Sequence, residues 1–484
     1  MKTLTNYLYN LTYQILTFVL PIITTPYVSR VLGADGIGQY TYVSTVATYF
    51  VVVGLLGLNE YGSREIARTN GNCEEQRAIF WEITTLRVGT LIVAVLAFCV
   101  YTLFFVQDLK LIYWIHLIFF ASYLVDTTWM FQGNAQFKLI ATKNCLVKLA
   151  SVAMIFLFVR QKQDLWIYAV ISCGVLFAGN CFLLSDKGFR TLYRWKAPYI
   201  RKVFRHLKRT AFFFIPGMAG TFLNSFGKVV IGSIEGDVQL GLFQSADRIV
   251  RISLTIITAL TAVMLPKLAA MNTNATMQDV KKMNDRVLAA VCMMTCPIAF
   301  GLVAVSNTLV PWFFGSGFEE VSTLIQLEAP ALILIGLETT FGNVFLLASG
   351  QEKNVTFLSG TGTLLNIVLN FVLVSMIGTG GAILALFVTE LFFVLVGGWM
   401  AKSVFSKVLL VKRLLLYTAL AALMGIIVFK VGQWLPQTMG ATILMIGIGG
   451  TVYLTELLLV REQNLLYLFA MLKQCIISRR NKDE

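Results

Sequence analysis

Charged side chains that interrupt long apolar stretches are the residues of this chain best suited to chemistry. The bases are Arg30, Arg87, Lys228, Arg248 and Arg251, and the acids are Asp126, Asp247, Glu328, Glu338, Glu390 and Glu456. A charge at the centre of a membrane helix costs roughly 2.5–3.5 kcal/mol on insertion scales, so such residues mark functional sites. Guanidinium groups can bridge phosphate oxygens through paired hydrogen bonds, and buried carboxyl groups can bind protons. The pattern therefore marks these residues as candidate functional sites, although six acids against five bases do not by themselves make an anion-binding cavity.

Spacing along the chain sorts these residues further. Asp247 and Arg251 lie four residues apart with the acid first, which favours an ion pair on one helix. Arg248 lies about eight residues into the same stretch, roughly 12 Å deep at helical rise, too deep to snorkel easily. We expect the substrate-binding residues to be Arg30, Arg87, Lys228, Arg248 and Arg251, although Arg30 and Arg87 could equally snorkel from helix ends. We expect ion coupling at Asp126 and Glu338, for which a hydrogen-bonded structural carboxyl is the alternative.

The composition indicates what must position these charges. Of 484 residues, 57% are hydrophobic and only 13% are charged, against roughly 25% charged residues in a soluble domain. The hydrophobic residues are numerous enough for some 13 or 14 helical spans of about 20 residues. The same composition excludes disorder, coiled coil and a soluble globular fold. We predict an all-α polytopic membrane protein with about 14 transmembrane helices. The predicted spans are 9–31, 38–59, 81–106, 111–131, 145–160, 165–184, 210–234, 240–266, 288–306, 324–348, 355–377, 380–400, 414–433 and 440–460.

The distribution of basic residues predicts the orientation. About 30 of the 39 Lys and Arg residues fall in segments on one side if both termini are cytoplasmic. The net charge of +14 is therefore explained by topology and gives no reason to expect nucleic acid. The basic stretch Lys187–Arg209 divides the chain and is expected to bind anionic membrane lipid, or else a cytoplasmic enzyme. We predict an N-terminal lobe over 1–205, a C-terminal lobe over 206–405, and two further helices with a cytoplasmic tail over 406–484.

A weak internal repeat relates the two predicted six-helix lobes. FVLPIIT (18–24) corresponds to FFIPGMA (213–219), and GADGIGQY (33–40) corresponds to GDVQLGLF (236–243). Both copies enter the membrane from the same side, so the repeat is parallel, about an axis along the membrane normal. Two such lobes are typical of an alternating-access transporter.

Enzyme signatures are absent from the sequence. It has no phosphate-binding loop, no metal-binding histidine pair, no nucleophile elbow and no Cys/His dyad, so we expect a transporter without cofactor or bound metal. Its energy must then come from a proton or sodium gradient, the membrane potential or the substrate gradient. Two alternatives are an exporter of small organic cations bound by Glu338 and Asp126, and a membrane polysaccharide polymerase. The polymerase is disfavoured because the longest external segment has only about 17 residues (307–323).

Several segments resemble one transporter family. NLTYQILTFVLPIITTPYVSRVLGADGIGQYTYV (10–43) and LGLNEYGSREIA (56–67) are similar to oligosaccharide flippases of the Wzx type, in the multidrug/oligosaccharidyl-lipid/polysaccharide exporter superfamily. GLFQSADRIVRI (241–252), AVMLPKL (262–268), VPWFFGSGFEE (310–320) and FGNVFLLASGQEK (341–353) resemble the same family. The resemblance covers about the first 400 residues.

This resemblance implies a specific activity in the bacterial cell membrane. Such flippases move undecaprenyl-diphosphate-linked oligosaccharide from the cytoplasmic to the outer leaflet for capsule, O-antigen or exopolysaccharide assembly, and work beside polymerase and assembly proteins. The related lipid II flippases share a Ser-Arg-x-Leu-Gly element, matched from Ser29 to Gly33, and an Ala-Asp-Arg element, matched from Ala246 to Arg248. The resemblance implies that Arg30 and Arg248 hold the diphosphate. A further arginine of that branch is absent, with Gly36 and Ile37 near its place.

Overall fold

The computed structural model describes residues 2–69, 71–274, 276–462 and 464–465, which are overwhelmingly α-helical and contain no β-strand. The helices are α1 (Lys2–Leu55), α2 (Leu58–Arg68), α3 (Cys73–Phe104), α4 (Lys110–Ile115), α5 (Leu117–Leu124), α6 (Thr128–Gly133), α7 (Phe137–Phe158), α8 (Leu165–Leu184), α9 (Lys187–Leu192), α10 (Ile200–Ile234), α11 (Asp237–Asn274), α12 (Met277–Phe314), α13 (Glu320–Glu328), α14 (Ala331–Thr339), α15 (Glu352–Ile377), α16 (Thr379–Met400), α17 (Lys407–Gly432) and α18 (Met439–Leu459). A 3₁₀ turn (Lys162–Asp164) precedes α8, and a π-helical turn (Thr340–Leu346) follows α14.

These helices confirm a polytopic, all-α membrane fold. Among the described residues, ten helices are long and apolar enough to cross a membrane, or eleven if the bent pair Glu320–Glu328 and Ala331–Leu346 counts as one span. Every predicted span falls mainly on helix. The first ends before Gly33, where the backbone of α1 is non-helical, and the second runs from α1 into α2 across a turn at Leu56–Gly57. The total of 14 and the orientation stay predictions, and most of the predicted tail, 466–484, lies outside the described residues.

Two further predicted spans are interrupted rather than continuous. The fourth, expected over 111–131, consists of α4, α5 and α6, with breaks at His116 and at Val125–Thr127. The tenth, expected over 324–348, breaks before Pro330, where α13 and α14 meet at a bend of 42°. A proline lacks the N–H of a helical hydrogen bond, which explains the second break. Broken helices within a membrane are tolerated where protein or an aqueous cavity accepts the freed polar groups.

The surface of α3 shows why the protein requires lipid. Val93, Leu96 and Val100 are half or more exposed, while Leu91 and Phe98, on the other face of the helix, are fully buried. The exposed residues recur at three- and four-residue spacing and therefore form one stripe. An apolar stripe of this kind in water would drive aggregation, whereas lipid tails solvate it.

Side-chain caps fix where several helices begin. The Asn72 side chain accepts hydrogen bonds from the N–H groups of Glu74 and Glu75 at the start of α3. Asp186 accepts from Phe189 N–H at α9, and Thr276 from Asp279 N–H at α12. These caps satisfy N–H groups that have no partner within the helix, and the acids Glu74 and Glu75 also complement the helix dipole.

The chain forms two compact units. Unit 1 contains 1–244 and 367–382, and unit 2 contains 245–366 and 383–484. In unit 1, α10 packs on α1 and α3, which explains why the seventh predicted span belongs with the first six. In unit 2, α12 packs against α14, α17 and α18. The predicted boundaries at 205 and 405 describe repeats in the sequence, and they stay predictions.

Candidate functional site

A buried polar network in unit 1 is centred on Arg87. This side chain lies near the middle of α3 and is only 1% exposed, so it does not snorkel to the interface. Its Nη1 donates to Asn59 Oδ1 at 3.0 Å, and its Nη2 donates to Asp126 Oδ2 at 3.3 Å. Its Nε is buried and has no hydrogen-bond partner among the described residues. The structure therefore pairs a predicted substrate-binding base with a predicted ion-coupling acid.

The break between α5 and α6 explains how Asp126 reaches this network. Asp126 lies in the non-helical segment, where its Oδ1 accepts a hydrogen bond from Thr128 N–H at 2.9 Å. Lys143 on α7 donates to Thr128 Oγ1 and to Asn180 Oδ1, both at 3.1 Å, and Asn180 Nδ2 donates to Ser122 O. We call Asn59, Arg87, Asp126, Thr128, Lys143 and Asn180 the Arg87 network. Its three charged side chains are two bases and one acid, so it carries excess positive charge.

Unit 2 contains a group of opposite sign. Arg251 Nε donates to Asp247 Oδ1 at 2.6 Å, which confirms the ion pair expected from their spacing. Arg251 also interacts electrostatically with Glu328 on α13 and Glu390 on α16, and Glu390 interacts with Glu338 on α14. The Oε2 of Glu390 is buried and has no hydrogen-bond partner among the described residues. We call Asp247, Glu328, Glu338 and Glu390, with Arg251, the carboxylate cluster.

The other predicted site residues divide between the two units. Arg30, near the end of the first part of α1, and Lys228, on α10, belong to unit 1, while Arg248 on α11 belongs to unit 2. Arg30 is exposed, and Lys228 and Arg248 are half-buried. Among the described residues, no group of three or more His, Cys, Asp or Glu side chains is arranged to hold a metal ion.

The repeated glycine motif forms a reciprocal contact within unit 1. Gly33 and Gly236, at equivalent motif positions, both have positive φ, at 72° and 87°. A Cβ added at Gly38 would overlap the carbonyl oxygen of Asp237, and one added at Gly241 would overlap that of Ala34. The two contacts are equivalent. Gly38 lies against Asp237, which follows Gly236, and Gly241 lies against Ala34, which follows Gly33. Such self-complementary contact is typical of two-fold symmetry, here between segments predicted to lie at the outer surface.

Acidic side chains border this glycine contact. Asp237 begins α11, ahead of the predicted span 240–266, and is half-buried. Burial raises the pKa of Asp237, and the negative charges of Asp35 and Asp108 raise this pKa further. The Gln39 side chain donates to both carboxylate oxygens of Asp35 at 3.2 Å.

Sequence reasoning missed several members of these groups. Lys143 lies two residues before the predicted span 145–160, yet α7 begins at Phe137 and includes it. The sequence identifies Glu328 and Glu390 as acids within spans but assigns them no role. Asn59 and Asn180 are uncharged, so a search for charges within apolar stretches does not find them. Four-residue spacing identified the pair Asp247–Arg251 within one helix. Contacts such as Arg87–Asp126, which join different helices, leave no comparable pattern in a single sequence.

The sequence is similar to those of known bacterial membrane proteins. The chain is 22% identical over 389 residues to a putative O-antigen transporter of Escherichia coli K12, covering 80% of this chain and 93% of that protein. It is 26% identical over 292 residues to lipid II flippase MurJ of Bacillus subtilis, covering 56% and 52% of the two chains. These relatives support a bacterial, multi-pass membrane protein.

Solved structures share the fold. An inward closed structure of lipid II flippase MurJ matches with a TM-score of 0.69 at 14% identity, covering 95% of this chain and 99% of that one. An inward-facing multidrug transporter of the MATE family matches with a TM-score of 0.57 at 12% identity, covering 80% and 95%. Residues 3–272 match the family described as polysaccharide biosynthesis protein, and this match covers more than half of the chain. The chain belongs to this polysaccharide biosynthesis family.

Proposed function

We propose that this protein is a flippase that moves a lipid-linked oligosaccharide across the bacterial cell membrane without covalent chemistry. The observation that carries the proposal is the family match over residues 3–272, with an O-antigen transporter and a lipid II flippase among the relatives. The polytopic helical fold is suited to the task, because a transporter must let a polar head cross while the lipid tail stays in the bilayer.

The substrate's diphosphate is proposed to bind basic side chains. Arg30 and Arg248 match the resemblance motifs, and Arg87, Lys228 and Arg251 complete the proposed set. The charge balance of the Arg87 network supports this assignment, because its two bases outnumber its one acid and a bound anion supplies the missing negative charge. Arginine binds phosphate well because its planar group forms paired hydrogen bonds.

Ion coupling is proposed for carboxyl groups. Glu338 is our first candidate because it interacts with Glu390, and neighbouring carboxylates favour binding of a proton or a cation between them. Asp126 is a second candidate, although it already accepts hydrogen bonds from Arg87 and Thr128. Proton or sodium binding at Asp126 would therefore weaken the ion pair and free Arg87 for an anion.

The reciprocal glycine contact supports an alternating-access cycle. Close backbone approach at Gly38 and Gly241 closes the predicted outer end of unit 1. We propose that these segments separate when the substrate is released on the outer side. Glycine is needed here because any side chain would hold the backbones apart.

Reconstitution tests the proposal directly. Purified protein is placed in liposomes that contain a fluorescent prenyl-diphosphate oligosaccharide in both leaflets, and an external quencher reports how quickly inner-leaflet lipid becomes accessible. We expect protein-dependent exposure that responds to an imposed proton or sodium gradient, with Glu338→Gln abolishing the response and Lys407→Gln as the matched control. Folded protein that gives no exposure under any gradient, yet exports organic cations, would contradict the proposal and favour the multidrug alternative.

A further inference from the structure

Unit 1 contains a large apolar groove whose lining includes no member of the Arg87 network. Its volume is about 790 Å³, within the roughly 300–1,000 Å³ of typical ligand sites. It lies between the second part of α1, α3 and the start of α10, and its lining includes Phe50, Val53, Gly89, Val93 and Phe204. No charged side chain lines it within the described part of the chain. We call this the apolar groove.

The start of α10 forms one wall and has two chemically different faces. Ile200, Val203, Phe204 and Leu207 line the groove, and their three- and four-residue spacing places them on one helical stripe. The other faces of the same turns carry exposed bases, namely Arg201, Lys202, Arg205, Lys208 and Arg209. A basic helix with an apolar stripe is the pattern of a segment that lies at an anionic membrane surface.

Buried hydrogen bonds hold this wall in place. His206 Nδ1 lies 2.7 Å from Tyr61 Oη on α2, and His206 Nε2 lies 3.1 Å from Glu82 Oε2 on α3. Lys202 Nζ lies 4.0 Å from Glu82 Oε1. The preceding linker is also tied to α3, because Trp81 Nε1 donates to Arg194 O at 3.1 Å. The groove is therefore pre-formed within unit 1, which lowers the entropy lost when a ligand binds.

The length of the groove indicates its occupant. Its lining on α3 runs from Thr85 to Ala97, which is roughly 18 Å at helical rise. The hydrocarbon of one leaflet is about 15 Å deep, so the groove matches an acyl chain within a single leaflet. A long polyprenyl tail extends well beyond this depth. The bases lie at the end of the groove predicted to face the cytoplasm, where headgroup phosphates are found.

We propose that the apolar groove and the basic face of α10 form a binding site for an anionic glycerophospholipid of the cytoplasmic leaflet. One acyl chain occupies the groove, and the phosphate contacts bases such as Arg201 and Arg205. The bound lipid fixes the start of α10, and hence the helix that carries Lys228. This site is independent of the transported substrate, so the inference does not rest on the proposed function.

Filling the groove tests the acyl-chain part. Gly89 is exposed and an added Cβ meets no atom within 4 Å, so the side chain of Gly89→Leu starts in open space in the groove. Gly447→Leu on α18 is the matched control, because Gly447 is also helical, exposed and free of neighbours within 4 Å. Native mass spectrometry then measures phosphatidylglycerol retained by the full-length protein. Each acyl-chain methylene that the new side chain displaces from the groove weakens lipid binding about fourfold. Displacement of two methylenes should therefore lower the lipid affinity about 15-fold in Gly89→Leu, and the affinity of Gly447→Leu should be unchanged.

Neutralising the bases tests the headgroup part. Wild-type protein should retain phosphatidylglycerol in preference to phosphatidylcholine of the same acyl chains. Arg201→Gln with Arg205→Gln should weaken phosphatidylglycerol binding about 25-fold, at about fivefold per base. Lys282→Gln with Lys407→Gln, two exposed bases elsewhere, is the control and should have no effect. Equal retention by Gly89→Leu and Gly447→Leu, no preference between the two lipids, or displacement by equimolar polyprenyl phosphate would each overturn the proposal.

Discussion

Removing the negative charge of Asp126 should strongly destabilise unit 1, because it leaves Arg87 buried without its counter-charge. Arg87 is 1% exposed and the Asp126 side chain 11%, so water screens this ion pair poorly. Coulomb's law at an effective dielectric constant of about 20 gives about 5 kcal/mol for unit charges 3.3 Å apart. Breaking a buried pair on one side costs about 3–5 kcal/mol, and we expect Asp126→Asn to fall within that range.

A double-mutant cycle separates this structural role from the proposed substrate contact. Arg87→Met and Asp126→Asn should each lower the free energy of unfolding in lipid bicelles, while the double variant should recover about 2–4 kcal/mol of the summed loss. The second readout is flipping of a fluorescent prenyl-diphosphate oligosaccharide. If Arg87 binds the diphosphate, the double variant folds but transports slowly.

Two results would refute this reasoning at different steps. A coupling energy below about 0.5 kcal/mol would mean that the pair does not stabilise the buried arginine. A double variant that both folds and transports as well as the wild type would exclude Arg87 from the substrate site. The pair Asp247–Arg251 is a useful comparison because its arginine also interacts with Glu328 and Glu390, so loss of Asp247 leaves Arg251 with other counter-charges and should cost less.

Three further predictions address other parts of the molecule. Arg248→Ala should abolish flipping at normal expression, Arg248→Lys should retain only part of it, and full activity of Arg248→Ala would remove this residue from the site. Gly38→Ala and Gly241→Ala should each destabilise the closed outer contact by about 1–3 kcal/mol and lower the melting temperature, whereas Gly220→Ala, which meets open space, should not. Asp237→Asn should become more stable relative to the wild type as pH rises. The folded-state pKa of Asp237 is raised, so the wild type loses free energy of unfolding as Asp237 deprotonates, whereas asparagine does not titrate. Parallel melting-temperature profiles of Asp237→Asn and wild type against pH would contradict the last prediction.

Membrane helices were the most predictable part of the fold. A lipid-exposed segment must satisfy its backbone internally, so a long apolar stretch has few alternatives to helix. Breaks within spans were harder to predict, because the segment around Asp126 contains no proline and is flanked by apolar residues on both sides. The conformation there depends on partners such as Arg87 and Thr128, which come from elsewhere in the chain or from the turn itself.

The sequence by itself determined the membrane class, the helical content, several of the buried charges, such as Arg87, Glu328 and Glu390, and the family resemblance. These follow from composition, from spacing within one helix and from local motifs such as the paired glycines Gly33 and Gly236. Only the tertiary structure decided that Arg87 pairs with Asp126, that Lys143 joins their network, and that Glu390 accompanies Glu338. The physical reason is that an ion pair between helices depends on which faces meet, and packing of the whole unit determines those faces. The apolar groove is likewise a feature that only the tertiary structure decided, because its three walls come from α1, α3 and α10.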